Sequence, residues 1–331
     1  MWIVIARQCQ ARPKQSKSSE IATSAFGRLA MTLLVTVIFL PTQGLAQMKE
    51  PDQKFIQMHF RHIVGERTPV TSHQHLADVG HYIRKTFQGL GYQVELDLFP
   101  FNGETFQNII ARKKGGKSDD RIIIGAHFDS VPGSPGADDN ASGVVSMLEL
   151  ARILADRQWN HTIEFVGFNL EEWYMIGSTA YAEKLKKEKV KVRGMISLEM
   201  VGYVTNQPRS QKMPPGFGLF YPQVGNFIGL VGNFRSWKLL RMFKTRMKEI
   251  KNLPVESLLI PFNGALLPPV RWSDHSPFWD VGYPALLITD TSFYRNPHYH
   301  GPTDTTETLN LDFMQKVTQG ISQALVALDE S

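Results

Sequence analysis

RIIIGAHFDSVPGSPGADDNASGVVSMLELARILADRQWNHTIEFVGFNL, residues 121–170, contains two largely apolar runs separated by an amphipathic segment. The runs RIIIGAHF and HTIEFVGFNL are typical of strands that are buried on both faces of a sheet. Between them, SGVVSMLELARILAD has its apolar residues at helical spacing. This order of strand, helix and strand predicts a βαβ unit of an α/β sheet.

The same alternation extends on both sides of this unit. On the N-terminal side, residues 52–91 show helical spacing, and YQVELDLFPF and TFQNIIARK alternate like half-buried strands. On the C-terminal side, VRGMISLEM predicts a further strand and LDFMQKVTQGISQALVALD a closing helix. We therefore predict an α/β fold with a doubly wound, mostly parallel mixed sheet flanked by helices. In such sheets, ligands bind beyond the carboxyl ends of the strands.

The segment 203–273 is the least regular part of the chain. It is rich in proline and glycine and contains one basic amphipathic helix pattern, SWKLLRMFKTRMKEI. We interpret this segment as an insertion or cover over the site, within a single catalytic domain of residues 47–331. No stretch of the sequence has the composition of a linker that would divide this domain.

The first 46 residues have the layout of a secretory signal peptide. Five basic residues precede an apolar run, LAMTLLVTVIFL (29–40), and small residues follow at Gly44 and Ala46. The 12 residues of this run are fewer than the ~20 that a membrane-spanning helix needs. We predict that residues 1–46 are a signal peptide and that the mature protein is exported, to the periplasm or outside the cell. We expect no stable membrane insertion after the leader is removed; an uncleaved membrane anchor is the alternative.

Without this leader the chain is nearly neutral. The leader holds 5 of the 36 Lys+Arg and 1 of the 31 Asp+Glu, which leaves 31 against 30, a balance of +1. Such a balance argues against a nucleic-acid partner, since those proteins usually carry a basic patch. Cys9, the one cysteine of the sequence, also lies in the leader. A metal ion in the mature protein would therefore be held by His, Asp and Glu.

Imidazole and carboxylate groups follow several of the predicted strands. They occur in HFD (127–129), GADDNASG (136–143), LEEW (170–173), LEM (198–200) and NPHYH (296–300). Carboxylates that gather at one edge of a sheet repel each other unless a cation compensates them. The two-residue spacing of His127 and Asp129 lets a carboxylate accept the N–H of a metal-bound imidazole. Adjacent residues of a flat strand point to opposite faces, so Glu171 and Glu172 are expected in a turn after the strand.

The motifs together resemble a known enzyme family. HFDSVPGSPGADDNASG, NLEEWYMIGS, LEMVGY, SDHSPF and NPHYHGPTDT, in this order, are similar to those of the secreted bacterial leucyl aminopeptidases, which have two co-catalytic zinc ions. The wider family includes glutamate carboxypeptidases and glutaminyl cyclases. The similarity runs from about residue 52 to 329, which is nearly all of the predicted mature chain. It implies a zinc exopeptidase-like fold and two Zn²⁺ per chain.

The resemblance also implies the ligands of the two zinc ions. His127 and Glu199 match the ligands of one ion, and His300 and Glu172 match those of the other. Asp139 matches the carboxylate that bridges both ions, and the family implies a cis peptide bond directly after it. Glu199 departs from the aminopeptidases, which more often have Asp at this position, whereas Glu there accompanies some carboxypeptidases.

Three further roles follow from the resemblance. Glu171 matches the general base, Asp129 the residue that positions a ligating histidine, and Tyr299 a tyrosine that polarises the scissile carbonyl. Asp274 and His275 lie in the SDH motif beside the site. The implied activity is a metal-dependent aminopeptidase that releases apolar N-terminal residues from peptide substrates. Candidates for the apolar recess are the aromatic residues Phe217, Phe220, Tyr221 and Phe227.

Other functions stay open at this point. A di-zinc carboxypeptidase or dipeptidase would need a basic residue for the substrate carboxylate, and Arg209, Arg235 or Arg271 could supply it. A glutaminyl cyclase would use one zinc ion, and a non-enzymatic binding relative should have lost ligands. The sequence does not indicate the oligomeric state.

Overall fold

The structure, a computed structural model, describes residues 49–214 and 216–331. The predicted signal peptide lies outside the described residues. Within them, no helix has the length and apolar character that crossing a membrane requires. The described α-helices are α1 (Gln53–Ile63), α2 (His73–Gly89), α3 (Gly143–Leu154), α4 (Ile176–Lys187), α5 (Trp237–Met247), α6 (His275–Asp280) and α7 (Leu311–Glu330).

Eight strands form one mixed sheet in the described part of the chain. They are β1 (Gln93–Phe101), β2 (Glu104–Lys113), β3 (Ser118–His127), β4 (His161–Phe168), β5 (Val192–Glu199), β6 (Ile228–Asn233), β7 (Val255–Ile260) and β8 (Ala285–Thr289). Their order across the sheet is β1-β2-β4-β3-β5-β8-β6-β7. The central strands β4, β3, β5 and β8 are parallel, and β1, β2 and β6 add antiparallel pairs.

Helices cover both faces of this sheet. The helices α1, α2, α3, α5 and α7 pack on one face, and α4 and α6 pack on the other. Strand β3 is buried on both faces because Ile122 and Ile124 face the first layer while Ile123 faces the second. Every residue of α3 except Arg152 is buried, which explains its high apolar content. The α/β fold with a mostly parallel mixed sheet between helices is thus confirmed.

The segment 203–273 is more regular than we expected. It contributes β6, α5 and β7, so two strands of the sheet are missing from the prediction. The sequence of β6, IGLVGN, carries two glycines, and β7 lies at the sheet edge with a mixed burial pattern. Both features weaken the signal for a strand. Our interpretation of this segment as an insertion within one catalytic domain remains a proposal.

Candidate metal centre

The predicted site residues meet where three parallel strands end. His127 is the last residue of β3, and Glu199 is the last residue of β5. These strands pair with Gly125 opposite Ser197, so His127 and Glu199 lie side by side on the same face of the sheet. Strand β4 ends beside them at Phe168, directly before the loop that carries the two glutamates.

Asp139 reaches this edge from the turn before α3. The peptide bond between Asp139 and Asn140 is cis, as the family resemblance implied. The side chain of Asn140 donates to the carbonyl oxygen of Leu198 (2.8 Å) and accepts the N–H of Met200 (3.1 Å). Two hydrogen bonds therefore tie the turn to the end of β5. The turn begins at Gly136 with φ 61°, where a Cβ atom would lie 2.4 Å from the carbonyl oxygen of Asp139.

Glu171 and Glu172 lie in a turn after β4, as predicted. Asp129 holds this turn, since its two carboxylate oxygens accept the backbone N–H groups of Glu171 (3.1 Å) and Glu172 (3.2 Å). The same carboxylate lies 3.4 Å from Nδ1 of His127. Asp129 thus orients one imidazole and two glutamates, a wider role than the sequence pattern indicated.

Two groups of donor atoms lie next to each other and share Asp139. In the first, Nε2 of His127 lies 3.4 Å from Asp139 Oδ1 and 3.4 Å from Glu199 Oε2. In the second, Nε2 of His300 lies 3.2 Å from Asp139 Oδ2 and 3.3 Å from Glu172 Oε2. Within each group the donor atoms lie within 4.8 Å of one another, close enough to contact a single ion. The two oxygens of Asp139 therefore face different groups.

The chemistry of these groups fits bound metal ions. Among the described residues, neither ring nitrogen of His127 makes a well-formed hydrogen bond, although Nδ1 lies 3.4 Å from Asp129, and Oε1 of Glu172 has no partner. All three atoms are buried. Buried polar atoms without partners are unusual in proteins and call for a ligand. Among the described residues, no lysine or arginine lies within 4.0 Å of the carboxylates of Asp139, Glu171, Glu172 or Glu199. Imidazole and carboxylate donors without thiolates suit Zn²⁺.

Glu171 belongs to neither of the two groups that share Asp139, although its carboxylate also lies within 4.8 Å of donor atoms of His127 and Glu172. Its Oε2 is 3.8 Å from Nε2 of His127. Burial raises the pKa of Glu171 well above its ordinary value, and the carboxylates of Glu199 and Glu172 raise it further. Its position beside the donor groups suits a residue that accepts a proton there.

Tyr299 contacts the same centre from the loop after β8. Its ring stacks on that of His300, with centroids 3.7 Å apart. Burial raises the pKa of Tyr299, and the surrounding carboxylates, Asp139 first, add to this effect. Its hydroxyl therefore keeps its proton and can donate a hydrogen bond.

Two buried residues that sequence reasoning missed support the turn around Asp139. Asp304 accepts the backbone N–H groups of Asp138 (2.8 Å) and Asp139 (3.1 Å). Arg67 is fully buried and donates to the carbonyl oxygens of Phe128, Ile63, Gly65, Pro135 and Gly136. Asp304 lies in the motif NPHYHGPTDT, so the sequence pattern could have indicated that its carboxylate belongs to the site. Arg67 lies in no motif that we quoted.

The SDH motif lies behind the centre. Asp274 is fully buried, and burial raises its pKa to about 7. His275 contacts the carbonyl oxygen of Val270 through Nε2 (2.8 Å) and packs edge-on against Trp279. His275 therefore packs into the fold and is not among the donor groups. Ser273, the first residue of the motif, donates its hydroxyl to Glu199 (2.8 Å) and so orients that carboxylate.

An open cleft runs from the donor groups along the sheet. Phe217, Tyr221 and Phe227 line it, together with other apolar residues of the segment 203–273. Phe220, the fourth aromatic candidate, is 82% exposed and does not line the cleft. Part of the segment therefore forms a wall of the cleft next to the centre.

Comparisons with known proteins show that the chain is similar to a family of peptidases. The sequence profile of Peptidase family M28 matches residues 108–325, a range that includes all five predicted zinc ligands. The chain is 37% identical over 254 residues to the uncharacterized protein YfbL of Escherichia coli, and the match covers 72% of this chain and 76% of YfbL.

Two further matches are named aminopeptidases. Leucine aminopeptidase 1 of Chaetomium globosum is 26% identical, with 83% of this chain and 66% of the fungal protein covered. The solved structure of BSAP, a zinc aminopeptidase from Bacillus subtilis, is 27% identical with a TM-score of 0.51, and 69% of this chain and 51% of BSAP are covered. The chain thus spans about two thirds of the first protein and about half of the second.

Proposed function

The chain belongs to peptidase family M28, and from this membership and the geometry of its centre we propose that it is a zinc-dependent aminopeptidase. The observation that carries the proposal is Asp139, whose two oxygens face two separate groups of donor atoms. We propose two Zn²⁺ per chain. His127, Asp139 and Glu199 would hold one ion, and His300, Asp139 and Glu172 would hold the other. When bound, zinc lowers the pKa of a water molecule and draws electron density from the substrate carbonyl.

We assign the proton transfers of the hydrolysis to Glu171. In the proposed reaction its carboxylate takes a proton from the attacking water and delivers it to the amine that leaves. Asp129 keeps Glu171 in place through the backbone N–H of the turn and orients His127 from behind. Tyr299 donates its hydroxyl to the oxygen of the scissile carbonyl, where negative charge develops during the attack.

The charges of the cleft favour an aminopeptidase over a carboxypeptidase. Among the described residues, no lysine or arginine lines the cleft, so none is placed to receive a substrate carboxylate. Arg271 binds Asp280 (2.7 Å) and the carbonyl oxygen of Asn263 instead. Arg209 and Arg235 are exposed and do not line the cleft. The carboxylates at its metal end suit a free α-ammonium group, with Glu171 and Glu199 as the candidate partners.

The requirement for a free N-terminus on the substrate tests the proposed aminopeptidase activity. We expect that unblocked leucyl-4-nitroanilide is hydrolysed at least ~10²-fold faster than its N-acetyl form, because acetylation removes the ammonium charge and adds bulk at a desolvated site. The measurement is kcat/KM for the two substrates with the zinc-loaded protein. Equal values, or hydrolysis that requires a free C-terminal carboxylate, would favour the carboxypeptidase.

A further inference from the structure

We propose that Glu256 recognises the side chain of the first substrate residue and that this residue is a lysine or an arginine. This inference rests on the proposed aminopeptidase function and adds the substrate class of its cleft. The apolar walls of the cleft alone would predict a leucine-like residue, as we expected from the sequence. A carboxylate at the far end changes that expectation.

Strand register places Glu256 in line with the metal centre. Glu199 pairs with Thr289, Thr289 pairs with Gly229, and Gly229 pairs with Glu256 across the four strands β5, β8, β6 and β7. Paired residues of neighbouring strands point to the same face of a sheet. The side chains of Glu199 and Glu256 therefore rise from one face at opposite ends of a row. Three strand spacings separate their Cα atoms by roughly 14 Å.

Of the two residues between them, Thr289 and Gly229, the glycine keeps its part of this row open. Gly229 has no side chain, and a Cβ atom there would lie 3.3 Å from the carbonyl oxygen of Thr289, tighter than an ordinary contact. Thr289, Gly229 and Glu256 all line the cleft that begins at the donor groups. The cleft thus runs over the glycine toward Glu256. Its length suits a long substrate side chain, whereas a leucine side chain would end well before Glu256.

The far end of the cleft has the chemistry to bind a cation. Glu256 is half-buried and forms no ion pair within 4.0 Å with a lysine, arginine or histidine among residues 49–214 and 216–331. Tyr221 lies beside it, since its hydroxyl donates to the carbonyl oxygen of Ser257 (3.0 Å). Burial raises the pKa of Tyr221, and the nearby Glu256 carboxylate raises it further.

Aromatic rings complete this end of the cleft. The ring of Phe217 stacks on that of Tyr221, with centroids 6.0 Å apart, and both residues line the cleft. Aromatic faces attract ammonium and guanidinium groups, and lysine and arginine also have long apolar stems. The apolar walls would contact the stem, and Glu256 would bind the charged end.

The experiment compares two substrate side chains that share the same four-carbon stem. The measurement is kcat/KM for lysyl- and norleucyl-4-nitroanilide, which differ in the terminal ammonium group, with arginyl-4-nitroanilide as a second cation. In the zinc-loaded wild-type protein we expect the lysyl value to exceed the norleucyl value by at least about tenfold. Raising the salt concentration should lower this ratio, because the ion pair is partly exposed to solvent.

Three variants test whether Glu256 causes the preference for a cationic substrate side chain. Glu256→Gln should bring the lysyl-to-norleucyl ratio close to one, and Glu256→Asp, which keeps the charge, should retain a clear preference for the cation. Glu249→Gln is the matched control; it removes the same charge from an exposed residue that does not line the cleft, so it should keep the wild-type ratio. Because each value is a ratio within one protein, differences in folded fraction cancel.

The outcomes distinguish the specificity from the proposed function. Hydrolysis with a wild-type ratio near one, or a ratio that Glu256→Gln and salt leave unchanged, overturns the role of Glu256 and leaves the aminopeptidase intact. If no unblocked substrate is hydrolysed, the proposed function fails, and the specificity fails with it.

Discussion

The Glu171→Gln variant is expected to bind as much zinc as the wild-type protein and to hydrolyse unblocked aminoacyl substrates at least ~10²-fold more slowly. Glutamine keeps the shape of the side chain but cannot accept the proton of the attacking water. Zinc content should not change, because the two groups that share Asp139 are complete without Glu171. The measurements are kcat and the zinc content of the purified variant.

Two results would change this view of Glu171. A loss of zinc as large as the loss of turnover would show that Glu171 is a ligand, and wild-type turnover would show that another group transfers the proton. The matched control is Glu183→Gln, an exposed glutamate of α4, which should leave both quantities unchanged.

Replacing Asp139 should affect both zinc ions at once. Its Oδ1 faces His127 and its Oδ2 faces His300. We expect Asp139→Asn to weaken the binding of both ions, by more than the roughly 10–100-fold effect typical of residues that merely orient a ligand. Turnover should fall in parallel, because bound zinc would activate the water and polarise the carbonyl.

The His300→Ala variant tests whether Asp139 is shared by the two zinc sites or whether the sites are independent. His300 belongs to one group of donors, so its removal should release one zinc equivalent and leave the other at His127 and Glu199. The measurement is zinc content after dialysis against a weak chelator. If Asp139→Asn and His300→Ala release the same single equivalent, Asp139 is not shared.

Much of this centre is visible in the sequence because parallel strands end at a common edge. His127 and Glu199 follow apolar runs that could be recognised as buried strands, and the structure places both at strand ends. The turn that holds Glu171 and Glu172 follows from the same reasoning, since two adjacent residues cannot share one face of a strand. Strand periodicity therefore locates these four residues without reference to any relative.

Other parts depend on long-range packing that no local pattern encodes. His300 lies in a loop with left-handed backbone (φ 57°), so strand periodicity does not indicate its direction. The support from Asp304 spans more than 160 positions of the chain. The strand with Glu256 was missed because β6 and β7 lack a strong pattern, and the row from Glu199 to Glu256 is defined by strand pairing alone.

The departure at Glu199 has a local explanation. The carboxylate of Glu199 lies 3.4 Å from Nε2 of His127 and accepts the hydroxyl of Ser273, so the longer side chain is held in the donor group. Ser273 in turn lies 3.2 Å from the hydroxyl of Ser197. Glu199 therefore fits the first group of donors, and the charges of the cleft, rather than this residue, distinguish the two directions of peptide cleavage.

We propose that one aspartate, Asp139, would hold two zinc ions at the edge of the sheet. Anomalous diffraction at the zinc absorption edge, from crystals of the zinc-loaded protein, tests it most directly. We predict two peaks, one on each side of Asp139, the first in contact with His127 and Glu199 and the second with His300 and Glu172. A single peak, or peaks that do not contact Asp139, would contradict the account.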